Sequence, residues 1–325
     1  MPANASRYLG YKTNRCGWIG SLEEEIKKDV RIELAVAFYH HKKITPFVLD
    51  GVKYYPLFNG LNTDIQKWIF RLKGRIEGER DLDTYLAVIK DFQPDIIHVH
   101  GTETPFGLIV QIIETPVVIS IQGNMTVYNR KYFSGIAKRD LFRNRSIKDI
   151  VQLKHFLFNK YSFSRKAQRE KEILCKAEHI IGRTDWDRRI TSMLAPNATY
   201  YHCDEVLRPT FYQEFWEPGE QKTKQKIIST IGNNVYKGFE TICETAILLK
   251  DRLNFVWNVA GVEQNSQIVR IVEKKLNHSI PYNVKLLGSI QEKKLVKELL
   301  EADLYVHPAH IENSSNSVCE AMILG

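Results

Sequence analysis

The chain contains no run of eighteen apolar residues, so no membrane-spanning helix is expected. Its opening, Met1-Pro2-Ala3-Asn4-Ala5-Ser6, lacks the basic and apolar stretches of a secretory leader. The five cysteines (Cys16, Cys175, Cys203, Cys243, Cys319) are scattered, odd in number and never spaced Cys-x-x-Cys, which argues against a disulfide framework or a zinc site. Reduced thiols in a cytoplasmic protein fit better. Low-complexity and collagen-like stretches are missing as well. An apolar content of 43% with 11% aromatic residues gives 325 residues ample core, and two domains are the natural expectation.

Acids are scarce in one place. Residues 130–171 hold thirteen Lys/Arg against three acids, a larger excess than the +8 of the whole chain. Tyr128, Tyr132, Phe133, Phe142, Phe156, Phe158, Tyr161 and Phe163 lie in or beside that segment. Cations with aromatics fit an anionic membrane surface or a lipid-diphosphate acceptor, and equally nucleic acid, with a long solvated helix carrying its cations above a core stripe as the plain alternative. No nucleic-acid motif accompanies them, so nucleic acid is not an expected partner.

Apolar strand-like runs alternate with helical stretches. In the first half the strands read near 31–38, 51–56, 94–101, 115–123 and 178–182, with helices near 19–29, 62–74, 79–92, 105–114 and 147–176. A Pro-containing, polar stretch, 209–225, marks a linker between domains at 1–208 and 226–325. The second half restarts with strands at 226–231, 254–260, 283–287 and 303–307, and helices at 238–250, 264–277, 291–301 and 316–324. Strands apolar on both faces, separated by helices, predict parallel α/β sheets. His98, His100, Gly101, Gln122, Gly123, Arg183, Gly232, Lys237, Gly261, Gly288 and Glu312 all fall at or just past strand ends, where such sheets bind ligands.

The most informative stretch comes last. After the apolar Leu304-Tyr305-Val306 come Glu312-Asn313-Ser314-Ser315-Asn316-Ser317-Val318-Cys319-Glu320, two glutamates eight positions apart, running from a polar loop into a helix start. Glu25/Glu33 and Glu170/Glu178 share the spacing, so the context carries the signal. Upstream, Gly232-Asn233-Asn234-Val235-Tyr236-Lys237-Gly238 is strand, glycine loop, then helix. At these residues the chain resembles the retaining nucleotide-sugar glycosyltransferases of the GT-B fold, of the family 4 (group 1) type.

The resemblance implies two Rossmann-like, doubly wound parallel-sheet domains facing a cleft. It implies no metal and no cofactor beyond a nucleotide-diphosphate sugar as donor substrate. Lys237 would neutralise the diphosphate and Glu312 would reach the donor sugar. Glu320 would accept the ribose hydroxyls, and the Asn316, Ser317 and Val318 amides would face the diphosphate, as a helix N-terminus suits an anion. Gly232 and Asn233 form the phosphate loop, with Asn233 where the family has Arg. The main chain at Ser289 and Ile290 would lie against the base, and Gly17 would approach the phosphate, Cys16 standing where the family has its first Gly. Gln122 replaces an acceptor-side His. Arg183 would meet an anionic acceptor or pair with Asp185 or Asp187. His100 is a catalytic candidate, with a structural role as its alternative.

The function implied is sugar transfer to a glycan or lipid-linked acceptor in surface-polysaccharide synthesis, in the cytoplasm, with peripheral attachment to the inner membrane face as an extension. The rival is a catalytically inactive fragment or nucleotide-binding subunit; a nucleotide-sugar epimerase ranks below it. Compared with the family, the chain is expected to lack the first strand before Gly17 and the elements after Gly325, and so to expose a sheet edge or core surface at both places.

Overall fold

A computed structural model describes residues 3–10, 18–58, 60, 63, 65–66, 68–69, 82–143, 156–219 and 223–325. Cys16, Gly17, most of the 62–74 stretch and the basic residues Arg145, Lys148 and Lys154 lie outside the described residues. Packing divides the chain into two units, Met1–Asn129 with Gln152–Val206, and Arg130–Val151 with Leu207–Gly325.

In the first unit β1 (Ala35–His40), β2 (Phe47–Leu49) and β3 (Val52–Phe58) form one sheet in the order β1-β3-β2. β1 and β3 are parallel, whereas β2 and β3 form an antiparallel hairpin. Asp50 and Gly51 close that hairpin at φ +48° and +79°. Left-handed backbone at both positions is what a two-residue turn matching the strand twist requires. β4 (Ile97–His100), β5 (Val117–Ser120), β6 (His179–Gly182) and β7 (Thr199–His202) form a second, all-parallel sheet in sequential order. Val99, Ile119 and Ile180 bury against Ile173 and Leu174 of the Phe156–Leu174 helix, in a core that also takes Tyr55 and Leu57 of β3.

Several expectations change here. The described strands of this unit make two sheets, one of them mixed, because the Asp-Gly turn folds Phe47–Leu49 back onto β3. The first strand begins at Ala35, not 31. The helix expected over 105–114 is a tight 3-10 segment, Pro105–Gln111, in which the Gly107 backbone lies against Ile173; a Cβ there would stand 2.8 Å from Ile173 Cγ2. β7 escaped the reading because Thr199-Tyr200-Tyr201-His202 is short and largely exposed, with no apolar alternation.

In the second unit β8 (Gln225–Thr230), β9 (Phe255–Ala260), β10 (Val284–Gly288) and β11 (Leu304–Tyr305) are all parallel, in the order β10-β9-β8-β11. The chain builds outward from β8 through β9 to β10, then returns to the other side of β8. The order therefore reverses between β8 and β11, and the loops leaving the carboxyl ends of these two strands flank a crevice. The helices Phe239–Leu249, Gln267–Leu276, Glu292–Leu300 and Asn316–Leu324 fall close to the expected positions.

Residues 130–143 belong to this second unit although β5 and β6 of the first lie on either side of them in sequence. Tyr132 is fully buried, its ring 5.9 Å from that of Tyr236. Gly135, at φ +82°, accepts a hydrogen bond from Lys275 Nζ at 2.9 Å. A Cβ on Gly135 would stand 1.8 Å from Glu240 Oε1, so the position admits glycine alone. The Lys138–Arg143 helix packs on Gln267–Leu276. Of the aromatics in the basic segment, Tyr128, Tyr132 and Phe156 are core residues, while Tyr161 is half exposed.

Candidate functional site

The crevice between β8 and β11 assembles the second unit's candidates. β8 runs through Ile231 to Gly232, beside which a Cβ would meet open space. Asn233 and Asn234 lead into the short Val235–Lys237 turn. Gly238 follows at φ +76° and starts the Phe239–Leu249 helix. A Cβ there would lie 2.1 Å from the Pro308 carbonyl oxygen, so only glycine lets the Lys237 turn press against the loop after β11. The same two segments are joined by the His310 N–H donating to the Tyr236 carbonyl at 2.9 Å, and by a short His310 Nε2–Glu240 Oε1 contact.

Held in this way, Lys237 Nζ stands 2.5 Å from Glu312 Oε2, with each side chain 21% exposed. His307 Nε2 is 3.4 Å from the same oxygen. A cation and a carboxylate 75 positions apart thus share one partly dehydrated spot at the crevice. The Asn316–Leu324 helix begins just beyond, after Ser315 in extended backbone, whose side chain makes no capping hydrogen bond. Of its three candidate amides, that of Val318 donates to Ser315 O at 3.0 Å, because the first turn closes on itself. Ser289 is in a similar position: its N–H donates to Glu263 Oε1 at 2.8 Å.

Glu320 is buried, and its carboxylate is already engaged. Arg208 Nε donates to Glu320 Oε1 at 2.9 Å and Arg208 Nη2 lies 2.7 Å from it. Arg208 Nη1 reaches Glu292 Oε2 at 3.2 Å, Thr210 Oγ1 also donates to Glu292, and the guanidinium stacks 4.6 Å over the Phe211 ring. Burial raises the Glu320 pKa and the Arg208 charge opposes the rise. Arg208 was not among the residues singled out from the sequence, and its partners lie 84 and 112 positions away.

The first unit gathers polar groups at the carboxyl ends of β4 and β5. His100 packs edge-on to Trp18 and sits 4.1 Å from the His98 ring. Its Nδ1 is buried without a hydrogen-bond partner. Burial, then the neighbouring His98, push its pKa down to about 3, so the ring is neutral at ordinary pH. Glu103, which the sequence reading missed, places its carboxylate beside Gly101, Gln122 and Gly123. Burial lifts its pKa to about 7, and the charge of Glu170 adds to the rise. Its place three residues after His100, at a strand end, was the available signal. Glu170 itself is buried and accepts from Thr102 Oγ1 and from the Met125 and Thr126 amides, capping the Met125–Lys131 helix. The Arg183 guanidinium meets Glu205, its Nη1 lying 2.6 Å from Glu205 Oε2 with both side chains 8% exposed, while Asp187 Oδ2 accepts from the Arg183 and Thr184 backbone N–H groups in a capping box. Among the described residues no group of three or more His, Cys, Asp or Glu side chains is placed to hold a metal ion.

The family model for glycosyl transferases group 1 matches residues 212–325, which contain every candidate of the second unit except Arg208. Among solved structures, sucrose-phosphate synthase from Thermosynechococcus elongatus is 15% identical and superposes with a TM-score of 0.64, over 95% of this chain and 73% of that one. An apo structure of OtsA is 11% identical at TM-score 0.56, covering 93% and 78%. A trehalose-6-phosphate synthase studied for enzymatic glycosyltransfer with retention is 12% identical at TM-score 0.50, covering 94% and 78%. No curated protein matches the chain. The fold is that of the two-Rossmann-domain GT-B proteins. Residues 212–325 thus carry the likeness to glycosyl transferases group 1, on a chain with the GT-B fold.

Proposed function

We propose that the chain moves a sugar, with retention of anomeric configuration, from a nucleotide-diphosphate donor to a hydroxyl of a glycan or lipid-linked acceptor, in surface-polysaccharide synthesis. The observation that carries this reading is the meeting of Lys237 and Glu312 at the strand-order switch, beside a helix N-terminus. As the bond from the anomeric carbon to the diphosphate oxygen breaks, the electron pair leaves on the diphosphate, and Lys237 faces that growing negative charge. Glu312 faces the positive charge left on the sugar ring. Such charges act most strongly where they are already fixed and partly shielded from water. The acceptor hydroxyl then bonds to the anomeric carbon and passes its proton to the departing diphosphate oxygen. Retention is supported by the likeness to the trehalose-6-phosphate synthase.

Glu320 receives the ribose hydroxyls, and Arg208 keeps its buried carboxylate charged for that task. Gln122 and Glu103 take the acceptor side, with neutral His100 as a hydrogen-bonding group rather than a base. Arg183 serves that side by bracing Glu205. A nucleotide-binding subunit without turnover is the second reading; Asn233 in the place of the family's Arg favours it.

Thermal unfolding with UDP, GDP and ADP in turn tests the donor site. One nucleotide should raise the midpoint, and Glu320→Ala should abolish the rise. A cooperative melt indifferent to all three would overturn the donor site. Binding without any sugar transfer, unchanged in Glu312→Ala, would leave the subunit reading.

A further inference from the structure

The amino ends of the second unit's sheet, a strand's length from Lys237 and Glu312, carry a separate feature. An open cavity of about 370 Å³ lies there. Lys224 precedes β8 at its wall, Lys250, Arg252 and Leu253 follow the Phe239–Leu249 helix, and Tyr282 and Lys285 come from the start of β10.

Its four cations are all exposed, and among the described residues none makes an ion pair. Arg208, Lys226, Lys237 and Lys275 of the same unit are each paired with a glutamate. Asp251 is the lone acid of the lining. Four like charges around one cavity repel one another and add nothing to the fold, and an anion between them removes that repulsion. Asn283, also in the lining, is 5% exposed and keeps a buried Oδ1 with no hydrogen-bond partner, so an acceptor stands ready for a ligand hydroxyl. The rim is apolar as well as basic: Tyr282 is 82% exposed and Leu253 51%, with Leu248 nearby in sequence at 74%. A soluble anion would engage the cations alone. Cations beside exposed tyrosine and leucine match the boundary between headgroups and acyl chains.

We propose that this end of the second unit docks on the phosphate headgroups of an anionic lipid surface. Lys224, Lys250, Arg252 and Lys285 take the phosphates, Asn283 a headgroup hydroxyl, and Tyr282 and Leu253 enter the acyl boundary. The basic segment 130–171 is the poorer surface, because Tyr128, Tyr132 and Phe156 are consumed by the core.

The test is co-sedimentation of the full chain with phosphatidylcholine vesicles containing about one third phosphatidylglycerol, beside pure phosphatidylcholine vesicles. Binding should need the anionic lipid, weaken with salt, and fall by at least about thirtyfold in Lys250→Glu/Arg252→Glu, which removes two attractive charges and adds two repulsive ones. Tyr282→Ser should weaken it further at unchanged charge, and Lys131→Glu/Arg139→Glu should not change it. Failure to sediment with either vesicle overturns the proposal, as does an equal loss in the Lys131/Arg139 variant. Glycerol phosphate binding in calorimetry as tightly as the vesicles would make this a site for soluble anions and would also overturn it. Should the double variant melt early, Tyr282→Ser and the salt titration decide the question.

Discussion

The two edges of the second unit's sheet treat charge in opposite ways. At the carboxyl edge Lys237 is matched to Glu312, and Arg208 to Glu320 and Glu292, all with side chains at most a quarter exposed. At the amino edge Lys224, Lys250, Arg252 and Lys285 stand around a cavity with one acid. Pairing fixes geometry: a phosphate arriving at Lys237 finds the cation already placed, and exchanges contacts rather than ordering a loose chain. Unmatched surface charge fixes nothing and is free to meet a partner of any shape. On the functions proposed above, the contrast separates a crevice for one small molecule from a surface for many headgroups.

The sharpest way to break this comparison is at the crevice. Lys237→Ala and Glu312→Ala should each cut sugar transfer by about a thousandfold while the melt stays cooperative, the loss expected when one preorganised charge is removed from a reacting centre. A transfer assay at saturating donor checks it, and equal activity in either variant would remove that residue from the chemistry. Next comes Arg208→Ala, which strands two carboxylates; a loss of about 3 kcal/mol in urea unfolding is expected, the usual cost of breaking a buried pair from one side. Glu320→Gln in the same chain should recover part of it. Arg183→Met should cost a similar amount through Glu205, in the first unit.

A smaller effect concerns Glu103. Its carboxyl titrates at about 7 in the folded chain, above its ordinary 4.5. The folded state holds the proton more tightly, so this contribution to stability is complete below the unfolded value and is lost as pH rises toward 7. The melting temperature should fall across that window in the parent and hold flatter in Glu103→Gln. The smallest effect sharpens the contrast from the other side. Lys250→Ala should move stability by no more than about 0.5 kcal/mol, because an exposed, unpaired charge supports no contact.

Much of this was legible beforehand. The second unit's apolar runs, each closed by a glycine, are β8, β9 and β10, and the turn from Gly232 to Gly238 together with the Glu312 loop led to the crevice. What was hidden is what depends on distant partners. Arg208 and Glu320 lie 112 positions apart, and no local pattern says that the residue expected to hold ribose already holds a guanidinium. Glu263 capturing the Ser289 amide is hidden for the same reason. The β2–β3 hairpin is a different kind of miss. Its signal, Asp50-Gly51 between apolar residues, was present, but the reading began the strand at the turn and dropped the first arm.

The position of residues 130–143 bears on how the molecule is made. Tyr132 and Gly135 belong to the core of the second unit, yet they leave the ribosome about a hundred residues ahead of Tyr236 and Glu240 and about 175 ahead of His310, a wait of roughly 5–35 s at ordinary rates of synthesis. During that interval a fully apolar-facing tyrosine and its basic neighbours have no native place to go. A nascent chain arrested after Val206 should therefore keep this segment open to protease, and the same cuts should vanish once His310 has emerged.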